Sequence, residues 1–301
     1  MSTPQGRLKE REMADTGSKA QRGERPPKTV QDLAPIRSGR IRVDGAELYY
    51  EIDGEGEPLL FIHGLGSCAA DWAPQIAYFR ANYRIIAFDQ RGHGRSSRPR
   101  DGYSIPRFAQ DAIALLKALE IGPVHIVGLS LGGLVAFQVA VDAPELVKSM
   151  TIVNSGPEVP AQTFKQRIPL YVRLLYLHTL GLRRMAKAIA KNLFPQPEQA
   201  DLQKVLIERL ASNDKRCYAA SLRAIFAGWG VAERLSEIRC PVLFVAADQD
   251  YTPVELKQAY VNRLPNARMV VVPDSRHALP MEKPREFNRA LADFLGSLGA
   301  R

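Results

Sequence analysis

From residue 59 to residue 298, short apolar runs alternate with longer helix-like segments, and this alternation leaves the chain few folds to choose from. Residues 59–62, 83–88, 124–127, 149–153, 242–245 and 269–272 read as buried strands. Residues 71–82, 106–119, 253–264 and 284–298, with the segment after Ser130, read as helices. Strands alternating with helices imply a mostly parallel central sheet covered on both faces. A hairpin precedes it, with residues 41–43 and 47–52 meeting at an Asp44-Gly45 turn. The alternation stops at residue 157 and resumes after 235. Between them, residues 168–180, 184–192, 201–211 and 218–227 read as helices punctuated by Pro169, Gly181, Pro195 and Pro197. A helical insertion after the sixth strand is most simply a cap over the carboxyl edge of the strands. The expected organisation is a disordered charged tail (1–38), an α/β core (39–156 and 236–301) and a helical cap (157–235).

Apolar residues make up 46% of the chain, enough for a sizeable core. The net charge of +9 is localised. Residues 1–40 hold nine Lys/Arg against five Asp/Glu, and residues 157–235 hold thirteen against six, so the rest is slightly acidic. No basic helix repeat or aromatic platform accompanies this charge, which argues against nucleic acid. No segment approaches the roughly 20 apolar residues that span a bilayer, and the first residues lack the apolar core of a secretory signal. Cys68, Cys217 and Cys240 are too scattered for a disulfide framework or a metal cluster. A cytoplasmic protein without metal or cofactor is expected.

The chemistry centres on Gly128-Leu129-Ser130-Leu131-Gly132. This G-x-S-x-G pentapeptide lies where a strand gives way to a helix, a turn that lifts a serine hydroxyl above the sheet. The same pattern arises as a plain serine-capped turn, so the partners decide. A serine nucleophile needs a base. Of five histidines, His277 lies just after the last strand, on the edge expected for Ser130. The base needs a carboxylate. Asp250 is the candidate, with Asp248 as the alternative, in the loop after residues 242–245. The backbone N–H groups of Leu65 and Leu131 are the expected oxyanion donors. Leu65 lies in the glycine-containing loop His63-Gly64-Leu65-Gly66.

Over residues 40–301 the chain resembles the α/β-hydrolase superfamily of the type with a helical cap. His63-Gly64-Leu65-Gly66 is similar to that family's oxyanion loop, and Asp89-Gln90-Arg91-Gly92-His93-Gly94-Arg95-Ser96 to its D-x-R-G-x-G-x-S loop. Gly128 to Gly132 resembles the nucleophile elbow. Asp250 and His277, with Glu282 and Pro284 following, resemble the acid and base loops. The resemblance implies a structural role for His63, with Asp89 anchoring its own loop. Arg276 and Ala247 stand where glycine is common, and Arg276 would place a cation beside the base. Trp72 and Trp229 are candidates for the pocket or, as large aromatics, for the core.

Relatives that dehalogenate or open epoxides are generally built on aspartate where this chain has Ser130. Acyl transfer to water therefore remains, on a carboxylic ester, lactone or thioester. Cleavage of carbon–carbon bonds in vinylogous diketones is the alternative, and a non-catalytic small-molecule receptor is the reading from another class. The segment at residues 170–177 is apolar nearly all round and flanked by Lys165, Arg167, Arg173, Arg183, Arg184, Lys187 and Lys191. That suggests either helices packed on the core with solvated cations outside, or a surface for an anionic amphiphile, an acidic carrier protein or a membrane.

Overall fold

The computed structural model describes residues 37–159 and 163–299. In chain order the elements are β1 (Arg37–Val43), β2 (Ala46–Asp53), β3 (Glu57–Ile62), α1 (Ala73–Phe79), β4 (Tyr83–Phe88), α2 (Ile105–Ala118), β5 (Val124–Leu129), α3 (Leu131–Asp142), β6 (Val147–Val153), α4 (Phe164–Thr179), α5 (Gly181–Leu193), α6 (Ala200–Ala211), α7 (Lys215–Ile225), β7 (Val242–Ala247), α8 (Val254–Val261), β8 (Ala267–Val272), α9 (Leu279–Glu282) and α10 (Pro284–Leu298). The eight strands form one sheet in the order β1-β2-β4-β3-β5-β6-β7-β8. Strands β3 to β8 run parallel, while β1 and β2 form an antiparallel edge.

Alternation along the strands divides the core. On β3, Leu60 and Ile62 join the layer under α2 and α3, while Leu59 and Phe61 join the layer with Trp72, Phe287 and Leu291. Helix α3 is apolar all round and buried from Leu131 to Ala140, as expected for a helix with no solvent face. Trp72 packs on Phe61 and Phe287 in the core, while Trp229 is partly buried against it and donates to Gln138 Oε1 at 2.6 Å.

The hairpin at Asp44-Gly45 forms as expected, but it starts earlier than residue 40. Arg37 pairs with Ile52 and Ser38 with Glu51, because the free edge of β2 offers ladder bonds even to a polar segment. The rest of the expected tail, residues 1–36, lies outside the described residues. The helix expected over 71–82 is shorter. Pro74 sets the start of α1, and residues 69–72 form a tighter turn before it. Helix α4 starts before residue 168. Thr163 and Gln166 form a reciprocal capping box, with Gln166 N donating to Thr163 Oγ1 (3.3 Å) and Thr163 N to Gln166 Oε1 (2.9 Å). Helices α4 to α7 lie between β6 and β7. They are tied to the sheet's loops by Arg209 on Asp71 (2.9 Å), Asn213 on Gly66 O (2.8 Å) and Gln199 on Glu282 (2.9 Å). On α4, Phe164, Ile168, Tyr171, Val172 and Leu175 remain exposed. Among the described residues, no helix is long and apolar enough to cross a membrane.

The loop after β4 is pinned by a buried ion pair. Arg91 grips Asp111 on α2 with Nε and Nη2, both at 2.6 Å, and donates to Asp44 O (3.0 Å) and Gly102 O (3.3 Å). Removing one member of such a pair strands the other in the core. Arg91→Met should therefore lower the free energy of unfolding by about 3 kcal/mol or more, measured by urea denaturation, whereas a loss under 1 kcal/mol would show that Asp111 finds another partner.

Candidate active site

Ser130 is the hinge between β5 and α3. Its backbone sits at φ 55° and ψ −116°, a conformation costly for any residue with a side chain. The turn is too tight for neighbours with a Cβ. One on Gly128 would lie 2.3 Å from Gly132 O, and one on Gly132 would lie 2.1 Å from Ile62 O. Four hydrogen bonds hold the strained residue. Ser130 N donates to Val153 O (3.0 Å), and Ser130 O accepts from Gly133 N (2.9 Å), Leu134 N (3.2 Å) and Ser155 Oγ (2.7 Å). Leu131 opens α3, so its N–H belongs to the leading turn that has no acceptor inside the helix.

His277 and Asp250 meet as expected. His277 Nδ1 lies 2.6 Å from Asp250 Oδ1. A carboxylate can only accept, so Nδ1 carries a proton and donates it to Asp250. Asp250 Oδ2 accepts from Lys257 Nζ (2.7 Å) and Thr252 Oγ1 (2.8 Å). Burial alone would raise the Asp250 carboxyl, but the charges and hydrogen bonds of His277 and Lys257 outweigh it and hold the group below the ordinary carboxylate range. Asp248 does something else. It accepts from Asp274 N and Ser275 N, both at 3.1 Å, and so shapes the turn that carries His277. The Arg276 cation expected beside the base is matched by Glu282, 3.9 Å from its guanidinium, while Glu282 also accepts from Arg276 N at 2.6 Å.

The loop after β3 is built around His63. Its Nε2 accepts from Gln90 N (3.0 Å) and its Nδ1 donates to Gly64 O (2.8 Å), which fixes a neutral ring far from any proton-transfer position. Asp89 anchors the neighbouring loop by accepting from Ala69 N and Arg95 N, both at 2.7 Å. Gly64, Leu65, Ser130, Leu131, Asp250 and His277 all line one cavity of about 250 Å³. Its outer wall comes from all four helices between β6 and β7, through Arg173, Ile189, Leu206 and Leu222 among others.

Three residues of this site escaped the sequence. Asn154, at φ 45°, accepts from Ala247 N (2.8 Å) and donates to His277 O (3.0 Å) and Arg276 O (3.2 Å), lashing the acid strand to the base loop. An asparagine just after a strand, in a turn before Ser155-Gly156, is the only signal that marks it. Lys257 lies in a helix among polar neighbours and its pairing is purely tertiary. The Tyr251 ring stacks on His277 with centroids 4.5 Å apart, next to the acid but without any motif to announce it.

This fold and this arrangement define a class. Residues 59–290 match the alpha/beta hydrolase family, and the chain belongs to it. A protein provisionally named carbamate hydrolase RutD, from Azorhizobium caulinodans, is 34% identical over 258 residues, covering 84% of this chain and 96% of its own. (E)-2-((N-methylformamido)methylene)succinate hydrolase from Acinetobacter baylyi is 30% identical over 253 residues, covering 82% of this chain and 93% of its own. Among solved structures, an N-acyl homoserine lactone degrading enzyme shares 29% identity with a TM-score of 0.75, covering 85% of this chain and 100% of its own.

Burial pushes the His93 imidazole down to about 3 and also lowers that of His63. The unfolded chain, with histidines near 6.5, then binds protons that the folded chain refuses. Stability is full above about pH 6.5 and is lost as pH falls from there toward 3, by up to about 1.4 kcal/mol per pH unit for each such histidine. His93→Gln, which cannot titrate, should show a shallower loss of unfolding free energy between about pH 6.5 and 4.5 than the parent chain. Identical slopes would mean that His93 charges in the folded state.

Proposed function

We propose that this chain is a serine hydrolase that cleaves a carboxylic ester, lactone or related acyl bond through an acyl-enzyme. The observation that carries this reading is the 2.6 Å Asp250–His277 hydrogen bond in the same cavity as the strained Ser130. In the proposed cycle Ser130 Oγ attacks the carbonyl carbon while His277 Nε2 takes its proton. The oxygen that gains charge is received by the N–H groups of Leu65 and Leu131. The carbonyl then re-forms as the scissile bond breaks, His277 gives its proton to the leaving group, and the acyl group remains on Ser130. Water, deprotonated by His277, attacks the acyl-enzyme, and the proton returns to Ser130 as the acid leaves. No metal or cofactor enters this scheme. The relatives' names point the same way, since carbamates and lactones are both cleaved at a carbonyl carbon.

Ser130→Ala should abolish both covalent labelling by a fluorophosphonate and turnover of p-nitrophenyl esters. Asp250→Asn should lower kcat on the order of 10⁴-fold, because the wrong tautomer of His277 is then favoured. Asp248→Asn should cost far less. The reverse order would move the acid to Asp248. Turnover of vinylogous diketones but of no ester or lactone would transfer the same residues to carbon–carbon cleavage. A folded chain that takes no label would be a binding protein.

A further inference from the structure

The cavity contains one cation with no anion to match it. Arg173 projects from α4 into the space shared with Ser130, and among the described residues its contacts are with the Tyr218 phenol rather than with any carboxylate. Its Nε is buried without an acceptor, and the guanidinium carbon lies 5.5 Å from the ring of the buried Tyr218. Of the three carboxylates that line the cavity, two are paired with cations. Asp71 accepts from Arg209 (2.9 Å) and Ser67 (2.5 Å), and Asp250 from Lys257 and His277. Glu158 accepts from Tyr260 Oη (3.1 Å) and lies within ion-pair distance of no described cation, Arg173 included. Arg173 is near enough to Tyr251 and Tyr218 for its charge to act on both phenols. Tyr251 in turn lies on His277. The guanidinium thus stands one aromatic ring away from the base, in a wall that is otherwise mostly leucine and isoleucine.

A partly desolvated guanidinium, with its Nε buried and facing an apolar space, gains most when an anion joins it, and its planar donor fork matches a carboxylate. We infer that Arg173 binds a carboxylate carried by the substrate, so that the preferred substrate is an anionic acyl compound with its negative charge held at the cap and its scissile carbonyl at Ser130. This rests on the hydrolase reading above and adds to it the charge of the substrate and the residue that selects it. Arg173 does not take part in bond breaking; it sets position and specificity.

The test compares p-nitrophenyl half-esters of succinic, glutaric and adipic acids with the neutral p-nitrophenyl butyrate, valerate and hexanoate of matching length. In the parent chain at least one half-ester should be preferred over its neutral counterpart. In Arg173→Met the ratio of the two kcat/KM values should fall on the order of 100-fold, the usual result of stranding one member of a desolvated charge pair, with the change mainly in KM. Arg173→Lys, which keeps the charge but not the fork, should recover part of the ratio. An unchanged ratio in Arg173→Met, with both series still hydrolysed, overturns the inference and leaves the hydrolase reading intact. Binding gives a readout that does not need turnover. Calorimetric titration of the glutarate half-ester into Ser130→Ala should give a Kd at least about tenfold tighter than into Ser130→Ala with Arg173→Met. Equal binding overturns the inference whatever the reaction proves to be.

Discussion

The parallel ladder does not stop where the strands stop. Ser130 N bonds Val153 O across β5 and β6, Asn154 N bonds Val245 O across β6 and β7, and Asp248 N bonds Val272 O across β7 and β8. Each loop bearing a functional group thus leaves the sheet from a residue still held in register. Backbone pairing, rather than the loops themselves, sets the spacing between the serine, the acid and the base. This explains how Ser130 can be kept in a conformation costing about 1–3 kcal/mol, since the strain is set against ordered structure on both sides. It also explains why the tethers are polar side chains. Asn154, Asp248 and Ser155 bond backbone groups of adjoining loops and extend the ladder by one more rung.

Much of this was legible in the chain because the relevant signals are local. The elbow at Gly128–Gly132 is a steric statement about five residues, and the 2.1 Å and 2.3 Å approaches show why glycine is needed there. The alternation of strands and helices follows from which residues can be buried on both faces of a sheet. The choice between Asp248 and Asp250 was not legible. Two carboxylates two residues apart in one loop differ only in what they meet, and only the folded chain brings Asp274 to one and His277 to the other. Lys257, Asn154 and Tyr251 were missed for the same reason: each acts through partners distant in sequence or through a ring contact that no spacing rule predicts. Helix α4 begins before residue 168 because the Thr163–Gln166 box caps it there, and Pro169 is tolerated inside it.

The helices between β6 and β7 supply the side of the cavity that the sheet lacks. The sheet's edge brings the polar groups, and the helices bring apolar surface and one arginine. On the proposed reading, the groups that act on the bond sit at the edge of the sheet, and selectivity resides in a segment tied to it by apolar packing and by Arg209, Asn213 and Gln199.

The pairing of Asp250 with Lys257 has a consequence for the charge of the site through the proposed cycle. In the proposed cycle the carboxylate and the ammonium cancel at the outset, and His277 begins as a neutral base. When the imidazole takes the serine proton, the three groups together become a single positive charge at the moment the substrate oxygen becomes a single negative one. The cavity as a whole therefore gains no net charge during the step. The two new charges arise as a pair within one cavity, so each is stabilised by the other as well as by the fixed donors and acceptors around it.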